Sequence, residues 1–401
     1  MNVFELMTQS QKQKKKIAFV SALDSAPWGG CEELWAQTAR WLHDHGHPIL
    51  ACVKKWSPTP PQVTALASAG IKIVEHDYSP RSIPTRILRG IKRRMKGISP
   101  ADRAGVESCH RIRAFHPDLV CISQGSNVDG FPWMEWCRSE GIPYVSVMQA
   151  NAEHLWPVDD LANALAAAHL QALASCFVSN ANLHLFEKQI GFQLPNSRVV
   201  RNPFNVCFQT EPTWPANGLE SKLACVGRLA PMAKGQDLIL ETLALPAWRN
   251  RPISVSFVGS GGMERSLRRL AARLGVEEKV TFRGQMDSIE SVWAEHHALL
   301  LPSRYEGLPL ALVEAMLCHR MAIVTDVAGH TEVVEDGLHG FVASAPKVEA
   351  LADAMERAWQ HRSEWREMGL AAGRHIRTLV PESPSAAFGS ALTDLMAVGG
   401  K

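Results

Sequence analysis

Short apolar runs alternating with longer amphipathic stretches organise this sequence. Residues 17–23 read as a buried strand, the turn Pro27-Trp28-Gly29-Gly30 follows, and Leu34, Trp35, Thr38, Ala39, Trp41 and Leu42 then recur at helical spacing until Gly46. Residues 48–53 supply the next strand, so the chain opens β-α-β with a glycine turn between strand and helix. Further strand candidates lie at 71–74, 119–123, 144–148 and 176–179, separated by helical stretches. Strands that alternate with helices pair in parallel and carry helices on both faces.

Residues 199–200 lead into Asn202-Pro203 and a linker at 204–218 that contains Pro212 and Pro215, which places a domain boundary there. Beyond it the alternation restarts, with strands at 223–226, 253–258, 280–282, 297–301 and 322–325, a helix from Gln236 and a basic helix ending at Leu274. The pattern predicts an α/β protein of two Rossmann-like β/α/β domains. A polar extension at 1–16 precedes a first domain at 17–203, and the linker joins it to a second domain at 219–380. In the last segment, 381–401, a helix at 386–396 is expected to return to the first domain.

Composition agrees with two domains, since 401 residues exceed what one hydrophobic core usually supports. A hydrophobic share of 46%, a charged share of 20% and a net charge of +2 are ordinary for a soluble globular protein and point to no polyanionic partner. The nine cysteines are never closer than 12 positions, so no Cys-x-x-Cys pair serves zinc or redox chemistry. They read as reduced, mostly buried thiols of a cytoplasmic protein. The apolar run after the lysines at 12–16 is too short for a signal peptide and is interrupted by Asp24. The window 161–178 carries Asn163, His169, Gln171 and Ser175 and reads as a packed helix, not a membrane span.

One segment departs from this balance. Residues 81–103 hold eight basic side chains against the single acid Asp102, with Ile83, Ile87, Leu88, Ile91 and Met95 interleaved. They fit a basic amphipathic helix touching the anionic inner face of a membrane, or a solvated helix with its apolar side on the core. No nucleic-acid motif accompanies them.

Candidate chemistry gathers at strand ends. Gly29-Gly30 lets backbone approach a ligand and presents free N–H groups, a usual way to hold phosphate, although a plain tight turn has the same residues. Arg228 and Lys234 flank the loop that follows the first strand of the second half, where two fixed cations suit a diphosphate. The run Gly259-Ser260-Gly261-Gly262 reads mostly as a close strand-to-helix passage, and His154 follows another strand end. Glu306 and Glu314 stand eight positions apart, about 12 Å along a helix, too far for most acid/base carboxylate pairs and suited to the two ends of an extended ligand. No Asp-x-Asp at a strand end, Walker loop, kinase set or Gly-x-Ser-x-Gly is present, so neither a bound metal nor a serine nucleophile is expected to carry the chemistry.

Together these residues resemble the GT-B glycosyltransferases, specifically the retaining glycosyltransferase family 4. Val226-Gly227-Arg228-Leu229 through Lys234-Gly235 is similar to the family's Gly-Arg-Leu…Lys-Gly element. The stretch from Pro302-Ser303 through Glu306-Gly307 to Glu314-Ala315-Met316 looks like its Glu-x7-Glu signature, and Gly29-Gly30-Cys31-Glu32, Gly46-His47 and Asn202-Pro203 match more weakly. The resemblance implies a nucleotide-sugar donor, UDP-sugar favoured over GDP-sugar, in a cleft between two Rossmann domains. It also implies a glycan, lipid-linked or small-molecule acceptor and no cofactor. Carried over by position, Arg228 and Lys234 neutralise the diphosphate and Glu314 accepts from the ribose. Glu306 faces the sugar beside the N–H groups of Gly307, Leu308 and Leu310, and His154 lies at the reacting face. Gly29 and Gly30 approach the phosphates from the first domain, and Gly284, past the strand at 280–282, joins the donor-binding set. The resemblance further implies transfer with retention by front-side attack.

The chain departs from the family where a glycine is usual, reading Cys318-His319-Arg320, and where Gly-Gly-x-x-Glu is common, reading Ala328-Gly329-His330-Thr331-Glu332. These departures keep a non-catalytic nucleotide-sugar binding protein open as an alternative, and a nucleotide-sugar epimerase or hydrolase on the same fold is a second.

Overall fold

Runs such as Ile17-Ala18-Phe19-Val20, apolar at every position, suit strands covered on both faces. The computed structural model describes residues 14–24, 26–77, 105–216, 218 and 220–398, and there these runs build two parallel sheets. The first contains β1 (Ile17–Ser21), β2 (Ile49–Lys54), β3 (Lys72–His76), β4 (Leu119–Gln124), β5 (Tyr144–Met148), β6 (Ala174–Phe177) and β7 (Ser197–Val199), in the spatial order β3-β2-β1-β4-β5-β6-β7. The second contains β8 (Ser221–Val226), β9 (Ile253–Val258), β10 (Val280–Gly284), β11 (Ala298–Leu301), β12 (Met321–Thr325) and β13 (Gly340–Ala343), in the order β10-β9-β8-β11-β12-β13. Helices cover both faces of each. The basic segment 81–103 lies outside the described residues, and no helix among those described is long and apolar enough to cross a membrane.

Two differences from the periodicity reading have local causes. Strand β6 ends at Phe177 because the Ser179 hydroxyl caps the helix Asn180–Ile190, accepting from the Asn182 N–H at 3.2 Å. Strand β13, absent from the sequence reading, has only four residues and begins at Gly340, whose φ of 154° and close seat on Ala322 leave no room for a side chain. A glycine-led edge strand carries too short an apolar signal to be read.

The linker is fastened to the second domain. Phe204, Phe208 and Trp214 pack against its core, and the Cys207 N–H donates to Glu290 at 3.0 Å. Arg320 anchors the far end, with its guanidinium buried and donating to the carbonyls of Trp293 and His296 at 2.8 Å and of Cys318 and Thr213 at 2.7 Å. Burial lowers its pKa to about 10, which still leaves it charged at neutral pH. His319, beside it, takes φ 57° in the left-handed region where glycine is usual, and its ring accepts from Arg377 at 3.1 Å. Arg320→Met is expected to lower unfolding stability by about 3 kcal/mol, because buried carbonyls lose a charged donor. Urea denaturation checks this, and an unchanged midpoint would remove the anchoring role.

The last helix, Pro384–Val398, returns to the first domain. Phe388, Leu392 and Met396 join the core around β1 and β2, and the Thr38 hydroxyl donates to the Ser385 carbonyl at 3.3 Å.

Candidate functional site

In a doubly wound parallel sheet the ligand crevice opens beyond the carboxyl ends of the strands where the order reverses. That reversal falls between β1 and β4 in the first sheet and between β8 and β11 in the second. The loops leaving β1, β8 and β11 carry Gly29-Gly30, Arg228 to Lys234, and Ser303 to Pro309, and the structure brings all three together.

Across the cleft Gly30 meets the start of the helix Leu310–Leu317, where a Cβ on Gly30 would lie 2.9 Å from Leu310 Cδ1. Arg228 is exposed and near enough to Cys31 to oppose the rise that burial imposes on that thiol's pKa. No ion pair occupies Arg228 among the described residues. Lys234 reaches over Gly227 and pairs with Glu306 Oε1, to which the Ser303 hydroxyl also donates at 2.9 Å. Behind this pair, Arg304 fixes the loop with bonds to both Asp237 carboxylate oxygens at 2.7 and 2.8 Å and to the Pro231 carbonyl at 2.7 Å. The glycines of 259–262 serve close passage, since a Cβ on Gly261 would lie 2.4 Å from the Leu229 carbonyl oxygen.

Gly307 is the tightest joint of the cleft. Its missing side chain admits the Gln149 carbonyl, which a Cβ would approach to 2.1 Å, and Val178. The N–H groups of Gly307 and Leu308 find no acceptor among the described residues. With Leu310 they line the start of the helix, where backbone dipoles favour an anion. His154, exposed on the first-domain side, sets its ring edge-on to Tyr305 with centroids 5.6 Å apart. Gly284, at φ 66°, accepts from the Gly259 N–H through its carbonyl at 2.7 Å, with open space where a Cβ would sit.

Glu314 is buried, and its Oε1 accepts from both the backbone and side-chain N–H of Asn205, at 2.9 and 3.0 Å. Burial raises its pKa, and the two Asn205 bonds oppose the rise. The helix begins only at Leu310, after Pro309, so the eight-position separation from Glu306 is part loop, and the 12 Å helical spacing does not describe it. Asn205 was missed by the motifs, and Ser303 and Tyr305 lie inside the Pro-Ser…Glu-Gly stretch without a role read for either; no local periodicity singles out any of them.

The departing stretch 328–332 is clearly placed. His330 is fully buried, and its Nδ1–H donates to the Thr325 carbonyl at 2.8 Å while Nε2 has no partner. Burial lowers its pKa and Glu306 opposes the shift, so a neutral ring lies beneath the Lys234–Glu306 pair. Glu332 reaches into the other domain, accepting from the Ala181 N–H at 2.8 Å at the start of the helix Asn180–Ile190 and pairing with Arg201 at 3.5 Å.

Glu32, behind the glycine turn, is buried, and desolvation raises its carboxyl to about 7 against the opposing bond from Ser21. A folded-state pKa above the unfolded value contributes stability at low pH that is lost as pH rises toward 7. Glu32→Gln should therefore stabilise the protein at pH 8 by roughly 2 to 3 kcal/mol and leave it nearly unchanged at pH 4. Melting curves of both proteins across that range check the sign; equal gains at both ends would refute it.

Comparison with known proteins bears on the fold and on the second domain. Residues 220–361 match the family Glycosyl transferases group 1. The alpha-D-kanosaminyltransferase of Streptomyces kanamyceticus is 33% identical over 134 residues, which is 33% of this chain and 34% of that protein. The GDP-mannose-dependent alpha-(1-6)-phosphatidylinositol monomannoside mannosyltransferase of Mycolicibacterium smegmatis is 32% identical over 166 residues, 38% of this chain and 42% of that protein. The chain thus spans about a third to two fifths of the length of these curated relatives. The crystal structure of Anabaena Alr3699/HepE in complex with UDP superposes over 94% of this chain and 100% of that one, with a TM-score of 0.72 at 16% identity. The chain has the two-domain GT-B fold, and residues 220–361 of its second domain are similar to the glycosyl transferases group 1 family.

Proposed function

We propose that the protein is a retaining glycosyltransferase that moves a sugar from a nucleotide-sugar, a UDP-sugar before a GDP-sugar, to a glycan, lipid-linked or small-molecule acceptor. The observation that carries this reading is an open cationic cradle. Arg228 has no acidic partner among the described residues, Lys234 reaches the same cleft, and the unpaired N–H groups of Gly307 and Leu308 open the helix Leu310–Leu317. Fixed cations and N–H groups stabilise the negative charge that a departing diphosphate acquires, which gives the reaction its electrostatic help without a metal. Glu314 takes the ribose with its remaining oxygen, and Gly29-Gly30 closes over the phosphates.

Glu306, held by Lys234 and Ser303, orients the sugar and is poorly disposed to act as a nucleophile. Attack by the acceptor on the face the diphosphate leaves follows from that, with His154 at the mouth of the reacting face. The preference for UDP draws on the bound UDP of the Anabaena structure, while the Mycolicibacterium smegmatis relative is GDP-mannose-dependent.

A thermal-shift panel of nucleotides and nucleotide-sugars tests the reading. The matching ligand at about 100 times its dissociation constant should add roughly 2.7 kcal/mol of stability. A panel in which no nucleotide raises the melting temperature would overturn the donor site. NMR of the product's anomeric configuration tests retention, and rapid free-sugar release without acceptor would favour a hydrolase.

A further inference from the structure

The helix Asn180–Ile190 of the first domain begins without an acidic residue in its first turn, and the Ser179 hydroxyl accepts from its Asn182 N–H. A helix start leaves several N–H groups in need of acceptors, and its dipole favours a negative charge beside them. Glu332 meets both needs from the other domain. Its Oε1 accepts from the Ala181 N–H at 2.8 Å, and its Oε2 accepts from the Asn180 side-chain amide at 3.4 Å and from Arg201 at 3.5 Å. Arg201 is held in place by its bond to the Val178 carbonyl at 2.7 Å. The side chains of Arg201 and Glu332 are only 14% and 17% exposed, so salt screens the pair less than it would a surface pair.

This contact is continuous with the cleft. Glu332 belongs to the same turn as Gly329, whose N–H donates to the Gly307 carbonyl at 3.0 Å. A Cβ on Gly329 would lie 2.8 Å from Ser179 Cβ, and one on Gly307 would lie 2.4 Å from Val178 Cγ2. The second domain therefore clasps residues 178–181 at two points, with Gly307 at the cleft and Glu332 at the helix start. Drawing Ala181 away from Glu332 also draws Val178, three residues earlier, away from Gly307.

Resting on the glycosyltransferase reading, we infer that Glu332 is a positioning residue, a latch that holds the two domains in the form that binds nucleotide. It acts through the Gly307 loop, keeping Gly29-Gly30 of the first domain over the diphosphate that Arg228 and Lys234 hold. The fraction of molecules in the latched form then scales the apparent nucleotide affinity.

Amide hydrogen exchange, followed by NMR on the intact protein, reads the latch directly, and titrations with UDP and GDP read its consequence. In Glu332→Ala the Ala181 amide should exchange at least tenfold faster. The Asn182 amide, bonded within its own domain, should stay within twofold. Glu332→Gln, which keeps an acceptor and loses the charge, should give a smaller rise at Ala181 in the same direction. The dissociation constant of the bound nucleotide should rise threefold or more in Glu332→Ala. Unchanged exchange at Ala181 would overturn the latch, and equal acceleration of both amides would reduce Glu332 to a helix cap. Faster exchange at Ala181 with unchanged nucleotide affinity would overturn its link to binding. An unaltered protein that binds neither UDP nor GDP would instead overturn the donor reading, while Ala181 exchange still reports on the latch, so the two failures are told apart.

Discussion

Lys234→Ala is expected to lower kcat/KM by about 30- to 1,000-fold, equivalent to roughly 2 to 4 kcal/mol of transition-state stabilisation. Two losses combine in that figure. The cleft forfeits one of its two cations, and Glu306 keeps only the Ser303 hydroxyl as a partner where it had an ammonium as well. An unpaired carboxylate next to a departing diphosphate repels the charge the site exists to hold. Lys234→Arg should not restore the rate, because the lysine stem lies along Gly227 and a planar fork needs a different approach. Steady-state kinetics with an unchanged melting temperature are the measurement. Turnover equal to that of the unaltered protein would remove Lys234 from the chemistry.

Gly307→Ala should have an effect of similar size by another route. Its Cβ would sit 2.1 Å from the Gln149 carbonyl oxygen and 2.4 Å from Val178 Cγ2, both on the opposite domain. Backbone cannot retreat as a flexible side chain can, so the two domains must stand apart by an ångström or more. Displacements of that size in reacting groups cost on the order of 100-fold in rate. Each domain keeps its own core, so the expected signature is lost turnover with little loss of stability, accompanied by a larger radius of gyration in solution scattering. Normal turnover would show that the joint is not held closed during reaction.

Most of the architecture could be read from periodicity because buried parallel strands are continuously apolar. Tyr144–Met148 and Ile253–Val258 are bounded as the pattern placed them, whereas the short, glycine-led Gly340–Ala343 escapes. The candidate site was legible in part, since Arg228, Lys234, Glu306 and Gly307 occur at strand ends that topology brings together. Its partners were not. Asn205 bonds to a carboxylate 109 positions away and Ala181 to one 151 positions away, distances over which no local spacing carries information. His330 stands out in the sequence only as a departure from a motif; the structure places it as a buried ring, its pKa lowered by burial, fastened to Thr325.

The chain passes between the domains twice, once through the linker and again before the helix Pro384–Val398. Arg377 ties the first passage down near the second, donating to the carbonyls of Phe208 at 2.9 Å and Thr210 at 3.1 Å from only a few residues ahead of it. A single tether would behave as a swivel. Two tethers lying side by side behave as the leaves of a door hinge: bending both together opens the mouth, while twisting shears the guanidinium from its carbonyls. Motion between the halves is thereby reduced to one swing, and each return stroke brings the same groups face to face.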